Sequence, residues 1–251
     1  MIYLVEHFYS IQGEGRYIGR PSVFFRLGGC NLTCKGFNCT ETSPSGEKII
    51  GCDTVYAVDR SFTSTWVALN NAQELINILK HYDLPFAVDI VFTGGEPLLH
   101  VNDPILIEFL HYLHVNNHRI TFETNATIKP DFTQYPIYSK CIYALSVKLQ
   151  NSLEPYTKRV KPDVLASIAY NAKEAFFKFS IDKNSINASL DEEIEEIIQN
   201  APHLEVYCMP VGANKTSVEE NAPMLIEYCK EKGYIYSDRL HIRIWDDNKG
   251  V

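Results

Sequence analysis

A chain of 251 residues, 45% hydrophobic and 22% charged, is long enough to bury one full core and lacks the polar bias of a disordered segment. Its formal charge of −8 excludes a broad electrostatic grip on nucleic acid but leaves room for a local basic pocket that takes an anionic small molecule. No run approaches eighteen apolar residues, and the opening MIYLVEHFYS has neither a basic region nor a long apolar one, so the expectation is a cytoplasmic protein with no membrane partner. Seven cysteines in a reducing compartment point to metal or redox chemistry rather than to a disulfide framework.

Two extended segments open the chain, at 3–9 and 22–27, with the polar turn Gln12-Gly13-Glu14-Gly15 between them. A cysteine-bearing region follows, and then apolar β-like runs at 88–93, 119–124, 141–148, 175–181, 204–209 and 239–245. Helical spacing appears at 72–81, 104–115, 190–199 and 218–232. The helix beginning near Leu190 carries three consecutive acids early, favourable to its dipole. Such alternation is the pattern of a parallel sheet wrapped by helices. The prediction is α/β: one β/α domain spanning the chain, with an N-terminal extension. Periodicity leaves open whether the sheet closes into a barrel.

In folds of this kind the working residues lie at the carboxyl ends of the strands. Four predicted strand ends carry polar or glycine-rich turns: Thr93-Gly94-Gly95-Glu96, Glu123-Thr124-Asn125, Ser146-Val147-Lys148 and Met209-Pro210-Val211-Gly212. Together they predict a pocket on one rim.

The chemistry concentrates in the cysteines. Cys30 and Cys34 form a C-x3-C pair, and Cys52 follows after an insertion. Three thiolates holding a 4Fe–4S cluster leave one iron open to a small-molecule ligand. The rival reading is a structural zinc site built from Cys30, Cys34, Cys39 and Cys52, since zinc favours four thiolates. Their spacings lack the two tight C-x2-C knuckles of such a site. Cys141, Cys208 and Cys229 sit in apolar patterns and read as buried small hydrophobes. The Gly94-Gly95-Glu96-Pro97 turn suits close approach of a ligand backbone, with a carboxylate for an ammonium group.

Longer motifs are more specific. Phe8-Tyr9-Ser10-Ile11-Gln12-Gly13-Glu14-Gly15, Gly19-Arg20-Pro21-Ser22-Val23-Phe24-Phe25-Arg26-Leu27, Gly29-Cys30-Asn31-Leu32, Cys52-Asp53-Thr54, Thr93-Gly94-Gly95-Glu96-Pro97 and Glu123-Thr124-Asn125 resemble the radical S-adenosylmethionine (SAM) superfamily, and within it the 7-carboxy-7-deazaguanine synthase family of queuosine and deazapurine biosynthesis. The resemblance implies a partial (β/α) barrel of the radical SAM type, usually homodimeric, binding a 4Fe–4S cluster, SAM and Mg²⁺. It implies a radical SAM lyase served by an external electron donor such as flavodoxin or ferredoxin. The implied substrate is 6-carboxy-5,6,7,8-tetrahydropterin. A 5′-deoxyadenosyl radical from SAM takes hydrogen from its C6, the ring contracts, ammonia leaves and SAM is regenerated, so that no side chain acts as the radical source.

Residue by residue, the resemblance implies that Cys30, Cys34 and Cys52 hold the cluster and that Thr54 holds Mg²⁺. Gly94, Gly95, Glu96, Ser146 and Lys148 would face SAM. Gln12, Glu14, Arg26, Glu123 and His241 would contact the pterin. These types suit the roles, because Arg26 can fork onto a carboxylate while Glu14 and Glu123 can accept N–H groups.

The chain also departs from the family pattern. The usual C-x3-C-x2-C is broken by seventeen residues between Cys34 and Cys52. That insert, 35–51, contains the turn signal Pro44-Ser45-Gly46 and is expected to form a hairpin. Ser-Val-Lys replaces Ser-Pro-Lys, Ala126 replaces a glycine, Cys208 stands in place of a glutamine, and Arg243 offers a cation near His241. Two other readings are a radical SAM activase acting on a partner protein's glycine and a non-catalytic zinc-binding module. Neither uses Gln12, Glu14 and Arg26 around a small carboxylated heterocycle.

Overall fold

The computed structural model describes residues 1–248 and 250. Strand β1 (Ile2–Ile11) runs antiparallel to β2 (Pro21–Leu27), with a register shift between Leu4 and Glu6. The insert forms the expected hairpin of β3 (Cys39–Thr42) and β4 (Lys48–Gly51). Its turn closes through Gly46, whose φ of 88° is left-handed and costs glycine little. There follow β5 (Val67–Leu69), α1 (Ala72–His81), β6 (Asp89–Gly94), α2 (Pro104–Val115), β7 (Arg119–Thr124) and β8 (Ile142–Leu145). The rest comprises α3 (Tyr156–Arg159), α4 (Pro162–Asn171), β9 (Glu174–Ile181), α5 (Ala188–Ile198), β10 (Val206–Pro210), α6 (Lys215–Lys232), β11 (Ile235–Tyr236) and α7 (Leu240–Trp245).

Nine strands make one sheet in the order β11-β10-β9-β8-β7-β6-β2-β1-β5. From β2 through β11 every pairing is parallel, while β1 and β5 add an antiparallel edge. The two end strands do not pair, so the sheet is an open, partial barrel. Among the described residues no helix is long and apolar enough to cross a membrane.

Strand alternation gives the sheet two different faces. Phe25, Phe92, Phe122 and Tyr143 are register partners on successive strands β2, β6, β7 and β8. They stack as a ladder with ring centroids 5.9, 5.2 and 5.6 Å apart. Phe109 of α2 meets the first two rings edge-on, and the other helices bury their apolar stripes on the same side. The residue after each ladder phenylalanine points the other way: Arg26, Thr93 and Glu123 lie on the opposite face, as does Lys178 after Phe177 on β9. The packing of one face thus places the chemistry of the other.

Helix starts follow local signals. Asn71 caps α1 by accepting from Glu74 N, and Asp103 caps α2 ahead of Pro104. The predicted helices at 72–81 and 104–115 match α1 and α2. Two expectations need correction. The run 239–245, read as a strand from the alternation Leu240, Ile242, Ile244, is helix α7. Its alternation misleads because Ile242 is buried while Ile244 is exposed, and Leu240 N is held instead by the carbonyl of Gly13. The strand read at 141–148 stops at Leu145, because Ser146 N donates back to the carbonyls of Thr124 and Ala144. Helix α4 was not predicted, although Pro162 at its start and Val164, Leu165 and Ile168 along one face carry the signal.

Candidate active site

A cavity of about 1020 Å³ opens at the carboxyl ends of the parallel strands, and all four predicted strand-end segments contribute to its wall. Cys30, Cys34 and Cys52 line one side. The loop carrying the first two is locked to the glycine turn: Gly95 N donates to Leu27 O at 3.1 Å and Glu96 N to Gly29 O at 2.8 Å. A Cβ on Gly94 would lie 2.2 Å from Leu27 O, and one on Gly95 2.0 Å from Gly29 O. Only glycine permits this approach.

The sulfurs have polar neighbours. Leu32 N donates to Cys30 Sγ at 3.4 Å, Asn125 Nδ2 stands 3.9 Å from the same sulfur, and Thr54 Oγ1 lies 3.4 Å from Cys52 Sγ. Thr54 Oγ1 also donates to Gly94 O at 3.3 Å. Burial pushes the free thiols up, Cys30 to about 12 and Cys34 to about 11, with Cys52 also raised. A metal centre is what would hold such groups as thiolates. Among the described residues no group of three or more His, Cys, Asp or Glu side chains stands ready to share one metal ion. Three thiols lining one cavity, with Leu32 N and Asn125 Nδ2 directed at Cys30 Sγ, fit an iron–sulfur cluster. Cys39 also lines the cavity, opposite Gly51 in the hairpin ladder.

The loop has an anchor that sequence reasoning missed. Glu154 Oε1 accepts from Thr33 N, Thr33 Oγ1 and Cys34 N at 2.5, 2.8 and 2.9 Å, while Lys158 pairs with its other oxygen at 3.0 Å. Cys34 sits in the left-handed region with φ 47°, a conformation this carboxylate helps to hold.

Glu96 departs from expectation. Its side chain is fully buried, and its oxygens accept from Leu98 N, Thr124 Oγ1 and Asn125 N at 2.9, 2.7 and 2.7 Å. The carboxylate braces the neighbouring strand end and does not face the cavity, unlike Gly94, Gly95, Ser146 and Lys148, which line it. The Lys148 charge is close enough to lower the Cys34 and Cys52 thiols against the effect of burial.

On the sheet face between these groups the predicted pterin residues converge. Glu14 Oε2 and Glu123 Oε1 take Lys178 Nζ at 2.8 and 3.1 Å. Gln12 Nε2 reaches Glu123 Oε1 at 3.4 Å, and Glu123 Oε2 accepts from Thr93 Oγ1 at 3.0 Å. Glu14 Oε1 accepts from Arg239 Nε at 2.9 Å, and His241 Nε2 lies 3.9 Å away. Arg239 continues to Asp53 Oδ2 at 3.0 Å and to Gly212 O. Burial pushes the Glu14 carboxyl up, but Lys178, Arg239 and His241 outweigh it and hold it well below the usual range. Burial pulls the His241 imidazole down. Arg26, on the adjoining strand, also lines the cavity. Lys178 and Arg239 were given no role from sequence, and Asp53 entered only as the middle residue of the Cys52-Asp53-Thr54 motif. For Lys178 a signal existed, since Phe177-Lys178-Phe179-Ser180-Ile181 alternates apolar with polar residues.

Comparison with known proteins gives the family. The family described as 4Fe-4S single cluster domain matches residues 11–168. The 7-carboxy-7-deazaguanine synthase of Aquifex aeolicus is 39% identical over 233 residues, covering 92% of this chain and 87% of that protein. The enzyme of the same name from Rhodopirellula baltica is 28% identical over 98% of this chain and 87% of its own. The crystal structure of QueE from Escherichia coli, at 20% identity, shares the fold with a TM-score of 0.65 over 95% of this chain and 94% of that one. With three thiols, a locked glycine turn and a buried acid–base cluster in one cavity, and with this relationship across nearly its whole length, the chain belongs to the 7-carboxy-7-deazaguanine synthase family of radical SAM enzymes.

Proposed function

We propose that the cavity converts 6-carboxy-5,6,7,8-tetrahydropterin to 7-carboxy-7-deazaguanine with loss of ammonia, the reaction of the family, as a radical SAM lyase of queuosine and deazapurine biosynthesis. The observation that carries the reading is the sharing of one cavity by Cys30, Cys34 and Cys52 and by the Glu14–Lys178–Glu123 cluster. Cys30, Cys34 and Cys52 would hold the 4Fe–4S cluster. Gly94, Gly95, Ser146 and Lys148 would hold SAM, with Glu96 acting behind the turn. When bound, these two cofactors supply the radical chemistry.

The protein's own contribution is placement. Arg26 would take the pterin carboxylate as a fork, Glu14 and Glu123 would accept its ring N–H groups, and Gln12 and His241 would complete the rim. Holding both ends of a flat heterocycle presents a single carbon for hydrogen abstraction. Thr54, beside Cys52 and Gly94, is the proposed protein ligand of Mg²⁺, a hard ion suited to a hydroxyl oxygen, substrate oxygens and water. The same reading includes a cytoplasmic homodimer and an external electron donor such as flavodoxin or ferredoxin.

The test is anaerobic turnover of the pterin by reconstituted protein with SAM, a reductant and Mg²⁺. Formation of 7-carboxy-7-deazaguanine is expected, with less Mg²⁺ stimulation in Thr54→Ala. Absence of product from cluster-loaded, SAM-binding protein would sink the reading.

A further inference from the structure

Lys178 is the most enclosed cation among the described residues that line the cavity. Its side chain is 4% exposed, on a strand whose flanking Phe177 and Phe179 belong to the helix-side core. A buried ammonium is unfavourable unless it is paired and hydrogen-bonded, and here both partners come from elsewhere in the chain. Glu14 arrives from the turn between β1 and β2, and Glu123 from the end of β7. The two carboxylates lie on different elements, joined also through Gln12, which accepts from Glu14 N at 3.1 Å and donates to Glu123 Oε1 at 3.4 Å, and like charges in a poorly solvated site repel. The ammonium between them, at 2.8 and 3.1 Å, converts that repulsion into attraction.

A carboxylate offers roughly four acceptor positions. Glu14 gives one oxygen to Lys178 and the other to Arg239, and Glu123 gives one to Lys178 and Gln12 and the other to Thr93. Each retains acceptor capacity, and both residues line the cavity.

We propose that Lys178 is the positioning residue of the substrate pocket, holding Glu14 and Glu123 as a fixed pair of ionised acceptors for the N–H groups of the 2-amino-4-oxopyrimidine half of the pterin. The proposal rests on the reading of those two glutamates as pterin contacts. The charged and titratable groups facing Glu14 are Lys178 from β9, Arg239 and His241 at the start of α7, Glu123 from β7 and, through Arg239, Asp53 after β4. Removing Lys178 takes away one of the charges that hold the Glu14 carboxyl low, so protonation would reach Glu14 at higher pH. The direction is fixed: acid-side loss of substrate binding moves upward in pH.

The experiment uses cluster-reconstituted enzyme with SAM and compares steady-state parameters across pH for Lys178→Met, Glu14→Gln, Glu123→Gln and the double variant Lys178→Met/Glu123→Gln. Lys178→Met is expected to raise KM for the pterin about 10- to 100-fold, the scale of a lost charged hydrogen bond. The acid limb of its kcat/KM profile is expected to move to higher pH, with iron content and SAM affinity unchanged. A parental KM and acid limb in Lys178→Met would overturn the proposal. If Lys178→Met does not fold, the double variant, which removes one charge of each sign, is compared with Glu123→Gln alone. An upward acid limb in the double variant supports the proposal, and coincident profiles overturn it. Parental KM in both Glu14→Gln and Glu123→Gln would instead remove the pterin reading beneath it. Raised KM in those two, but not in Lys178→Met, would leave that reading standing and reject the role of Lys178.

Discussion

Arg26 and Glu6 face one another across the β1–β2 ladder, and Arg26 Nε donates to Glu6 Oε1 at 2.6 Å. The register shift between Leu4 and Glu6 brings them opposite, the kind of strand irregularity that re-aims a side chain. Tyr56 donates its hydroxyl to the same Glu6 oxygen at 2.9 Å and sets its ring 5.7 Å from the guanidinium. Nε is therefore committed, and the terminal nitrogens are the ones a substrate carboxylate would meet.

Arg26→Lys keeps the charge and loses the fork. It is expected to retain iron content and SAM binding while kcat/KM for the pterin falls by the equivalent of about 1.5–3 kcal/mol, the cost of a lost hydrogen bond to a charged group. Steady-state kinetics on reconstituted enzyme decide this. Parental efficiency would pass the carboxylate to another cation, with Arg243 and Lys148 next to be tried.

Four cysteines line the cavity wall, and three are expected to bind iron. Single Ala variants of Cys30, Cys34 and Cys52 should lose the cluster on anaerobic reconstitution, and Cys39→Ala should keep it. Cys39 opens the hairpin at a position paired with Gly51, whereas Cys52 is followed by the Thr54 hydroxyl that touches both its sulfur and the glycine turn. Iron and sulfide analysis distinguishes the four. A full cluster in the Cys52 variant together with loss in the Cys39 variant would exchange their roles.

Glu154 ties the Cys34 backbone to the loop that follows β8. Losing the charged acceptor of the Thr33 and Cys34 N–H groups costs about 1.5–3 kcal/mol, so Glu154→Ala should lower the melting temperature of the cluster-free protein and reduce iron uptake. Glu154→Gln keeps an acceptor oxygen for Thr33 and Cys34 and should recover part of both. Equal losses in the two variants would mean that the charge, rather than the acceptor geometry, holds the loop.

Gly13 is required by its neighbour rather than by its backbone. A Cβ there would stand 2.1 Å from His241 Nδ1, so Gly13→Ala must push the imidazole out of the pocket. The expected result is a raised KM for the pterin at unchanged iron content. In a His241→Ala background the same substitution should cost little more, since coupled sites are not additive. Additive effects would show that Gly13 acts independently of His241.

The motifs that carry the chemistry were readable because each lies within a few consecutive residues: Cys30 to Cys34, Cys52 to Thr54, and Thr93 to Glu96. Apolar periodicity likewise placed α1, α2 and the parallel strands from β2 to β10, though not β11, since burial of one face demands it. Other features needed the folded chain. Lys178 lies inside an apolar run, and its function depends on which face of β9 its neighbours occupy. Arg239 and Asp53 are 186 positions apart, and no local pattern announces an ion pair at that separation. The Glu96 carboxylate looked available until Thr124 and Asn125, from the next strand, were seen to claim it. Local sequence specifies conformation and reactive groups through short-range sterics and periodicity. The pairing of buried charges is settled by which strands come to lie side by side.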